Sequence, residues 1–169
     1  MRPFDREGLA LASFQGRLFA ESLRQTDTSS PIFLRRFFLS DFAFSLDEKP
    51  APLVDLDIPR AFEDIEKQYG KSTYGKERYH ERGLYWLGYF ARYVCYTREI
   101  SSRDFYHLFD VKKLYGLYEA YHTQSEEWVL SHLLKSNGYT EDVFDVNERI
   151  KNAIRRHMQN KDSSVVIEG

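Results

Sequence analysis

Apolar residues recur at steps of three and four along most of the chain, which is the spacing of helices that bury one face. The first stripe runs along residues 6–25, REGLALASFQGRLFAESLRQ. It consists of Leu11, Phe14, Leu18, Phe19 and Leu23. Ser29 or Ser30 can cap a second helix with Pro31 at its start, because hydroxyls and proline are favoured there. The pattern predicts N-terminal helices over residues 7–46.

The longest predicted helix covers about residues 76–99. Its centre, LYWLGYFARYVCY, is apolar almost all round, which is typical of a helix buried on every side. Before it, residues 45–59 contain three prolines and four acids without an apolar period, which predicts a surface loop. Pro59 then opens another helix, and Gly70 is placed to end it in a left-handed conformation.

Three start signals follow the long helix. Ser101 with Asp104 and Thr123 with Glu126 match the capping-box pattern, in which a hydroxyl and an acid three residues later satisfy the first amides of a helix. Asp110 can cap a further helix between these two. The chain therefore continues with short helices and not with strands.

The last apolar stripe has helical spacing and consists of Val143, Val146, Ile150 and Ile154. It completes a set of predicted C-terminal helices over residues 101–160, followed by a flexible tail over 161–169. No strand pattern and no internal repeat is found. The sequence thus predicts an all-α fold, one domain over residues 1–160, with about seven or eight helices around the buried aromatic helix at 76–99.

The composition narrows the class of protein. At 169 residues, with 42% hydrophobic and 30% charged residues, the chain is long enough for one folded domain. Its net charge of −2 provides no global field for nucleic acid or an acidic membrane. The N-terminus has acids where a signal peptide needs an apolar run, and no stretch reaches the ~20 apolar residues of a membrane span. A cytoplasmic protein without membrane contact is predicted.

Gly70-Lys71-Ser72 has the ending of a nucleotide-binding P-loop. That motif needs a glycine five residues earlier, where Ile65 stands, and it needs a strand before it and a helix directly after it. Here an amphipathic helix precedes the motif and a second turn, at Gly75, follows it. We interpret the segment as a two-glycine connector between helices.

Metal and nucleophile patterns are missing as well. The one cysteine, Cys95, excludes a disulfide framework and a multi-cysteine zinc site. No two of the five histidines stand four residues apart on one helix beside a carboxylate base. We therefore predict no catalytic residue, no metal and no cofactor. One functional hypothesis, considered beside the two given at the end of this subsection, is an enzyme that uses Arg92, His122 or Cys95 in a buried pocket.

Aromatic residues make up 16% of the chain and include 12 tyrosines, which predicts a thin core with a polar rim or a large contact surface. Arg35 and Arg36 stand between phenylalanines in FLRRFF, so their head groups can reach a partner. Arginine and aromatic residues are enriched at the centres of protein interfaces. We therefore predict that Arg35 and Arg36 bind a partner protein, and a second copy of the chain is compatible with such a surface.

Three further partner-binding candidates have alternative structural interpretations. Arg92 lies on the apolar helix and needs either an acid from elsewhere in the fold or an external ligand. Tyr121 and His122 stand at a helix junction, where His122 can fill the junction or contact a partner. The same long helix has a tyrosine stripe that we expect in the core, with hydroxyls at its rim. The stripe consists of Tyr85, Tyr89, Tyr93 and Tyr96.

Residues 84–134 contain LYWLGYFARYVCYTREISSRDFYHLF and LYGLYEAYHTQSEEWVLSHLL, and this pattern resembles small all-helical bacterial antitoxins. The resemblance rests on Tyr85, Trp86, Gly88, Tyr89, Arg92, Tyr93, Tyr96, Thr97, Ile100, Ser101, Ser102, Tyr106, Leu117, Tyr118, Tyr121, His122 and Thr123. It covers about a third of the chain, and SFQGRLFAESL and SSPIFLRRFFLSDF fit it more loosely. The resemblance implies a cognate toxin as partner, and some such toxins are ADP-ribosyltransferase-like.

Two functions of different classes follow. The first hypothesis is a non-enzymatic antitoxin that neutralises a toxin by direct contact and occlusion. The alternative is a DNA-binding regulator that uses the helix pair at residues 101–121, where Lys112 and Lys113 stand at the front of the second helix. A basic stripe beside this pair is missing, and the rest of its second helix is aromatic and acidic.

Overall fold

The computed structural model describes residues 1–49, 54–145, 150 and 154–158. Over this part of the chain the protein is helical and contains no β-strand, so the all-α prediction is confirmed. The contacts divide the chain into two compact units, Met1–Glu126 and Glu127–Gly169, where the sequence predicts one domain. Among the described residues, no helix combines the length and the apolar character needed to cross a bilayer.

Eight helices lie within the first unit as far as it is described. They are α1 (Arg6–Gln25), α2 (Ser30–Phe38), α3 (Asp41–Glu48), α4 (Ile58–Tyr69), α5 (Glu81–Arg98), α6 (Ser102–Leu108), α7 (Val111–Gly116) and α8 (Tyr118–Tyr121). Helix α9 (Glu126–Ser136) starts at the boundary of the units. In the second unit a 3-10 turn covers Glu141–Phe144, and residues 154–158 are helical.

The first two helices begin with side-chain caps, and Ser29 and Pro31 at the start of the second are as the sequence predicts. The Asp5 carboxylate accepts a hydrogen bond from Gly8 N at 3.1 Å and so caps α1. The Ser29 hydroxyl accepts one from Ile32 N at 3.4 Å at the start of α2, with Pro31 in the first turn. These caps satisfy amides that have no partner inside the helix.

The predicted surface loop at 45–59 starts too early. Helix α3 continues to Glu48 and is capped by Ser40, whose hydroxyl accepts from Ala43 N at 3.1 Å. Leu46 is buried in it, so the helical period of apolar residues extends into the stretch that the prolines suggested was a loop. Residues 50–53 of the predicted loop lie outside the described residues.

Gly70 ends α4 at φ 81° and ψ 164°, so its φ is positive as expected, but its ψ is not that of a left-handed helix. The connector at 70–80 then runs past the start of α2. Ser29 N donates to Tyr74 O at 3.0 Å, and Ser30 N donates to Glu77 O at 2.8 Å. Since this stretch pairs with other backbone, α5 begins at Glu81, and the predicted start at residue 76 is wrong.

Helix α5 is the centre of the first unit. It forms its most extensive contact with α1 and also contacts α6, α7 and α8. The two backbones come close at Gly88, where a Cβ would stand 2.6 Å from Gln15 O. Residues 90–98 are buried all round, as the apolar pattern predicts, but the first half of the helix keeps an exposed face.

Phenylalanines fill the core of this unit. The Phe19 ring contacts Phe33, Phe37 and Phe38 edge-on, with centroids 4.8–5.7 Å apart. Phe38 also stacks on Phe105 at 5.6 Å, which joins α2 to α6. Edge-on and offset contacts are the favoured geometries of aromatic pairs, so much of the aromatic composition is core.

Two of the three later start signals are confirmed. Ser101 and Asp104 form the reciprocal capping box of α6. The Asp110 carboxylate caps α7 by accepting from the amides of its first turn. The third signal is wrong, because α9 begins at Glu126 and Thr123 lies in the turn after α8.

The last predicted helix is only partly described. In its apolar stripe, Ile150 and Ile154 are more than half exposed, and Val146 lies outside the described residues. The predicted tail at 161–169 also lies outside them.

Candidate functional site

The two arginines of FLRRFF have different surroundings. Arg35 is exposed. Arg36 is half-buried: its Nη1 donates to Gly70 O at 2.7 Å, and its guanidinium lies over the Tyr69 ring at 5.5 Å. Arg36 therefore holds the end of α4, whereas Arg35 keeps a head group that a partner could reach.

Arg36 also borders a cleft of about 280 Å³ under the Gly70-Lys71-Ser72 connector. Two carboxylates, Asp27 and Glu66, line the same cleft. Lys71 Nζ lies 3.8 Å from Glu66 Oε1, so its charge is already balanced. The next helix starts only at Glu81, so residues 70–80 connect α4 to α5 as the sequence predicts.

Arg92 lies inside the fold, with a side chain that is 2% exposed. Its Nη1 donates to Asp47 Oδ1 at 2.6 Å and its Nη2 to Ser102 Oγ at 2.7 Å. Its Nε donates to Gln15 Oε1 at 2.8 Å. The Asp47 carboxylate also accepts from Ser102 N and Ser102 Oγ, both at 2.8 Å. This network joins α1, α3, α5 and α6.

The internal acid that the sequence left open as a partner for Arg92 is therefore Asp47. A guanidinium with three internal partners, on a side chain only 2% exposed, is not accessible to another protein while the fold is intact. We accordingly place Arg92 in the interior and not in the candidate binding surface. The sequence did not identify Asp47 as this partner, because Asp47 lies on the part of α3 that the pattern predicts to be a loop.

Cys95 lies beside this network. Burial raises the pKa of its thiol, and the nearby Arg92 charge offsets only part of the increase. The thiol donates to Ser101 O at 3.7 Å. A thiol that keeps its proton at neutral pH is a weak nucleophile, so Cys95 is best understood as a packed core residue.

An open groove of about 420 Å³ lies along the first half of α5. We call it the aromatic groove, and it is lined by Arg82, Tyr85, Trp86, Tyr89, Tyr118, His122 and Glu126. Of the sequence-predicted candidates, only His122 lines it. Tyr121 stands next in the chain and is half-buried, but it is not part of the lining.

Aromatic rings form both walls of the groove. On α5, Tyr85 stacks with Tyr89 at a centroid distance of 6.3 Å. Opposite them, Tyr118 stacks with the His122 imidazole at 4.6 Å. Trp86 meets Tyr118 edge-on at 6.0 Å and connects the two walls. Five rings thus surround one concave surface, which is an arrangement suited to gripping an apolar side chain.

The groove has a charged residue toward each end. Arg82 stands in the first turn of α5, and Glu126 lies near Tyr89, two turns further along. Burial raises the pKa of the Tyr89 hydroxyl, and the Glu126 carboxylate and Tyr85 add to the increase. The side chains of Arg82 and Glu126 form no hydrogen bond or ion pair with any residue that the structure describes.

The tyrosine stripe that the sequence places in the core is divided between core and groove. Tyr93 and Tyr96 are 7% and 6% exposed, whereas Tyr85 is 38% exposed. The N-terminal segment makes the difference: Phe4 packs on Tyr93 at 4.9 Å, and the Tyr96 hydroxyl donates to Asp5 at 2.6 Å. Spacing along α5 cannot reveal which tyrosines a distant segment covers.

Sequence reasoning thus missed most of the groove, although one local signal was present. Arg82 is a base in the first turn of a helix, where the helix dipole favours acids. A charge that opposes the dipole and has no described partner contributes little to folding. Such a residue is a better indicator of a contact surface than a tyrosine on an apolar stripe.

The helix pair proposed for DNA over residues 101–121 is three short helices in the structure, because its second helix is divided into α7 and α8 at Leu117. Helix α7 has only six residues, and the Asp110 carboxylate sits at its start. Lys112 Nζ is 3.3 Å from Glu77 Oε2, so one of its two lysines is already paired. Further along α7, Tyr115 stacks on Tyr79 with centroids 3.8 Å apart, which turns this side of the helix inward.

Comparison with known proteins gives no match: no family model, no curated protein and no solved structure is similar to this chain. Among the described residues, no group of three histidine, cysteine or acidic side chains is arranged to hold a metal ion. The site must be judged from its geometry and chemistry.

Proposed function

We propose that this chain is a bacterial antitoxin that binds its cognate toxin through the aromatic groove and blocks the toxin by occlusion. The observation that carries the proposal is the groove itself: five rings around a concave surface, with an arginine at its edge whose side chain pairs with no described residue. Tyrosine, tryptophan and arginine are the residues that dominate the energetics of protein interfaces. The resemblance of residues 84–134 to antitoxins supports the identity of the partner.

The exposure of the rings also supports a binding role. Tyr85 is 38% exposed, and Trp86, Tyr89 and Tyr118 are half-buried, so each keeps ring surface that a partner could cover. Covering such rings removes apolar surface from water and is the main favourable term in most protein associations. A toxin that filled the groove would therefore gain affinity without a rearrangement of α5 or α8.

The charge arrangement supports a protein partner over DNA. A DNA-reading helix needs basic or amide side chains at its start, whereas α7 has the Asp110 carboxylate there. Lys112 is already paired with Glu77. The groove is lined by one basic and one acidic side chain, so its charge does not favour the binding of a polyanion such as DNA. If DNA were bound, a gel shift with the gene's own promoter would weaken steeply with added salt.

Co-expression with the protein encoded by the adjacent reading frame tests the proposal. We expect the wild-type chain to restore growth and to co-purify with that protein. Tyr85→Ala and Tyr89→Ala should each weaken binding by about 2 kcal/mol, since large rings at an interface centre contribute on this scale. No co-purification and no growth rescue by the wild type would refute the proposal.

Tyr74 offers a matched control. Its side chain is 74% exposed, it lies on the connector after α4, and it does not line the groove. Tyr74→Ala removes the same ring from the surface and should leave binding unchanged. If it weakened binding as much as Tyr89→Ala, the effect would reflect general loss of aromatic surface and not the groove.

A further inference from the structure

The opposite charges of the groove define what its occupant must carry. We propose that the toxin segment in the aromatic groove presents an acidic side chain to Arg82, a basic side chain to Glu126, and an apolar side chain to the rings between them. This inference rests on the proposed function and adds the chemical character and spacing of the bound segment.

The spacing follows from α5. Arg82 and Tyr89 are seven residues apart on this helix, so they share one face at a separation of about 10 Å. Glu126 lines the groove near Tyr89, and its effect on the pKa of that hydroxyl agrees with this placement. The acid and the base of the occupant therefore stand about 10 Å apart, which is two turns of a helix or about three residues of a strand.

Both side chains lie at the groove without a charged partner among the described residues. Those of Arg82 and Glu126 form no hydrogen bond or ion pair there, unlike those of Arg24 and Glu81 nearby, which lie 3.1 Å apart. Such a charge on the rim of an apolar groove selects a partner mainly by steering it and by rejecting like charges. An occupant with the same sign at either end would be repelled there.

A second copy of this chain fits the groove less well. In a two-fold symmetric dimer it would bring the same concave surface, and two concave surfaces that face each other leave a gap where the rings should be covered. A convex segment of a different protein can fill the space between the wall of Tyr85 and Tyr89 and the wall of Tyr118 and His122. The proposal therefore commits to a segment of the toxin.

Charge reversal at each end tests the inference. The probe is the purified protein from the adjacent reading frame, and affinity and association rate are measured by biolayer interferometry at low and moderate salt. Arg82→Glu and Glu126→Arg should each lower the affinity about tenfold or more, mostly through slower association, and the loss should shrink as salt increases.

Two matched controls distinguish the effect of a charge in the groove from the effect of the net charge of the chain. Arg103 and Glu63 are exposed, do not line the groove and have no ion pair with described residues. Arg103→Glu and Glu63→Arg change the net charge by the same amounts and should leave affinity within about twofold of the wild type. Thermal unfolding of all four variants establishes that each one folds.

The outcomes distinguish this inference from the function beneath it. If Tyr89→Ala weakens binding but the groove reversals behave like their controls, the groove binds the toxin and the charge inference is wrong. If the wild type does not bind the probe, the proposed function fails and the inference fails with it. If the wild type alone forms a dimer that Tyr89→Ala dissociates, the groove belongs to self-association and the inference is overturned.

Discussion

Arg92 and Arg82 stand on the same helix, ten residues apart, and have opposite surroundings. Arg92 is buried and donates to three side chains, including the Asp47 carboxylate. Arg82 is exposed beside five rings, and its side chain has no hydrogen bond or ion pair with any described residue. The difference teaches that an arginine on an aromatic helix is explained by its partners: one organises the interior, and for the other we propose an external contact.

The largest expected effect is the loss of stability when the buried arginine, Arg92, is replaced. Arg92→Met leaves the Asp47 carboxylate buried without its cation, which should cost about 3–5 kcal/mol of unfolding free energy. Urea denaturation measures the loss. A second variant, Arg92→Met with Asp47→Leu, removes both charges and should recover part of it. A loss below about 1 kcal/mol for the single variant would contradict the structural role of Arg92.

The next effect concerns the close contact between α1 and α5. A Cβ at Gly88 would stand 2.6 Å from Gln15 O, so Gly88→Ala should force the helices apart and cost about 1–3 kcal/mol. Gly116 is the control, because a Cβ there meets nothing within 4 Å. Gly116→Ala should stabilise the fold by about 0.4–1 kcal/mol. Equal changes in the melting temperatures of both variants would show that α1 and α5 leave room for a Cβ at Gly88.

Tyr79 is a buried polar group of a different kind from Arg92. It is 4% exposed, and its hydroxyl has no partner among the described residues. Tyr79→Phe removes this unsatisfied group and should change stability at pH 7 by less than about 1 kcal/mol, in the stabilising direction. A loss above about 1 kcal/mol would indicate a partner for the hydroxyl.

The same variant makes a pH prediction. Burial raises the pKa of Tyr79 to about 12 from an ordinary value of 10.0. Between about pH 10 and pH 12 the unfolded chain therefore loses a proton that the folded chain keeps, so the wild type loses stability as the pH rises. Tyr79→Phe lacks this contribution. The melting temperature of the variant should exceed that of the wild type by more at high pH than at pH 7.

The smallest expected effect is on stability at the groove. Arg82→Met removes an exposed charge without a described partner, so the unfolding free energy should change by less than about 0.5 kcal/mol. Measured beside Arg92→Met in the same urea series, it gives the sharpest form of the comparison. A loss approaching that of Arg92→Met would mean that Arg82 has a role in folding.

Local signals predicted much of the fold and little of the candidate site. The stripe at 6–25, the Asp110 cap and the Ser101–Asp104 box all correspond to helix boundaries, because each depends on residues a few positions apart. The predicted start of α5 at residue 76 is wrong because residues 76–80 pair with the start of α2, which is far away in sequence. Of the five predicted partner-binding residues, the groove contains His122, and Arg92 is interior.

The sequence by itself determined that the chain is helical, where most helices start, and that its central helix is aromatic. Helix periodicity and capping act over three or four residues, so they can be read along the chain. Only the tertiary structure decided that Asp47 meets Arg92 and that Phe4 covers Tyr93 while Tyr85 stays at the surface. These outcomes depend on which distant segments pack together, and a stripe of identical rings contains no record of that choice.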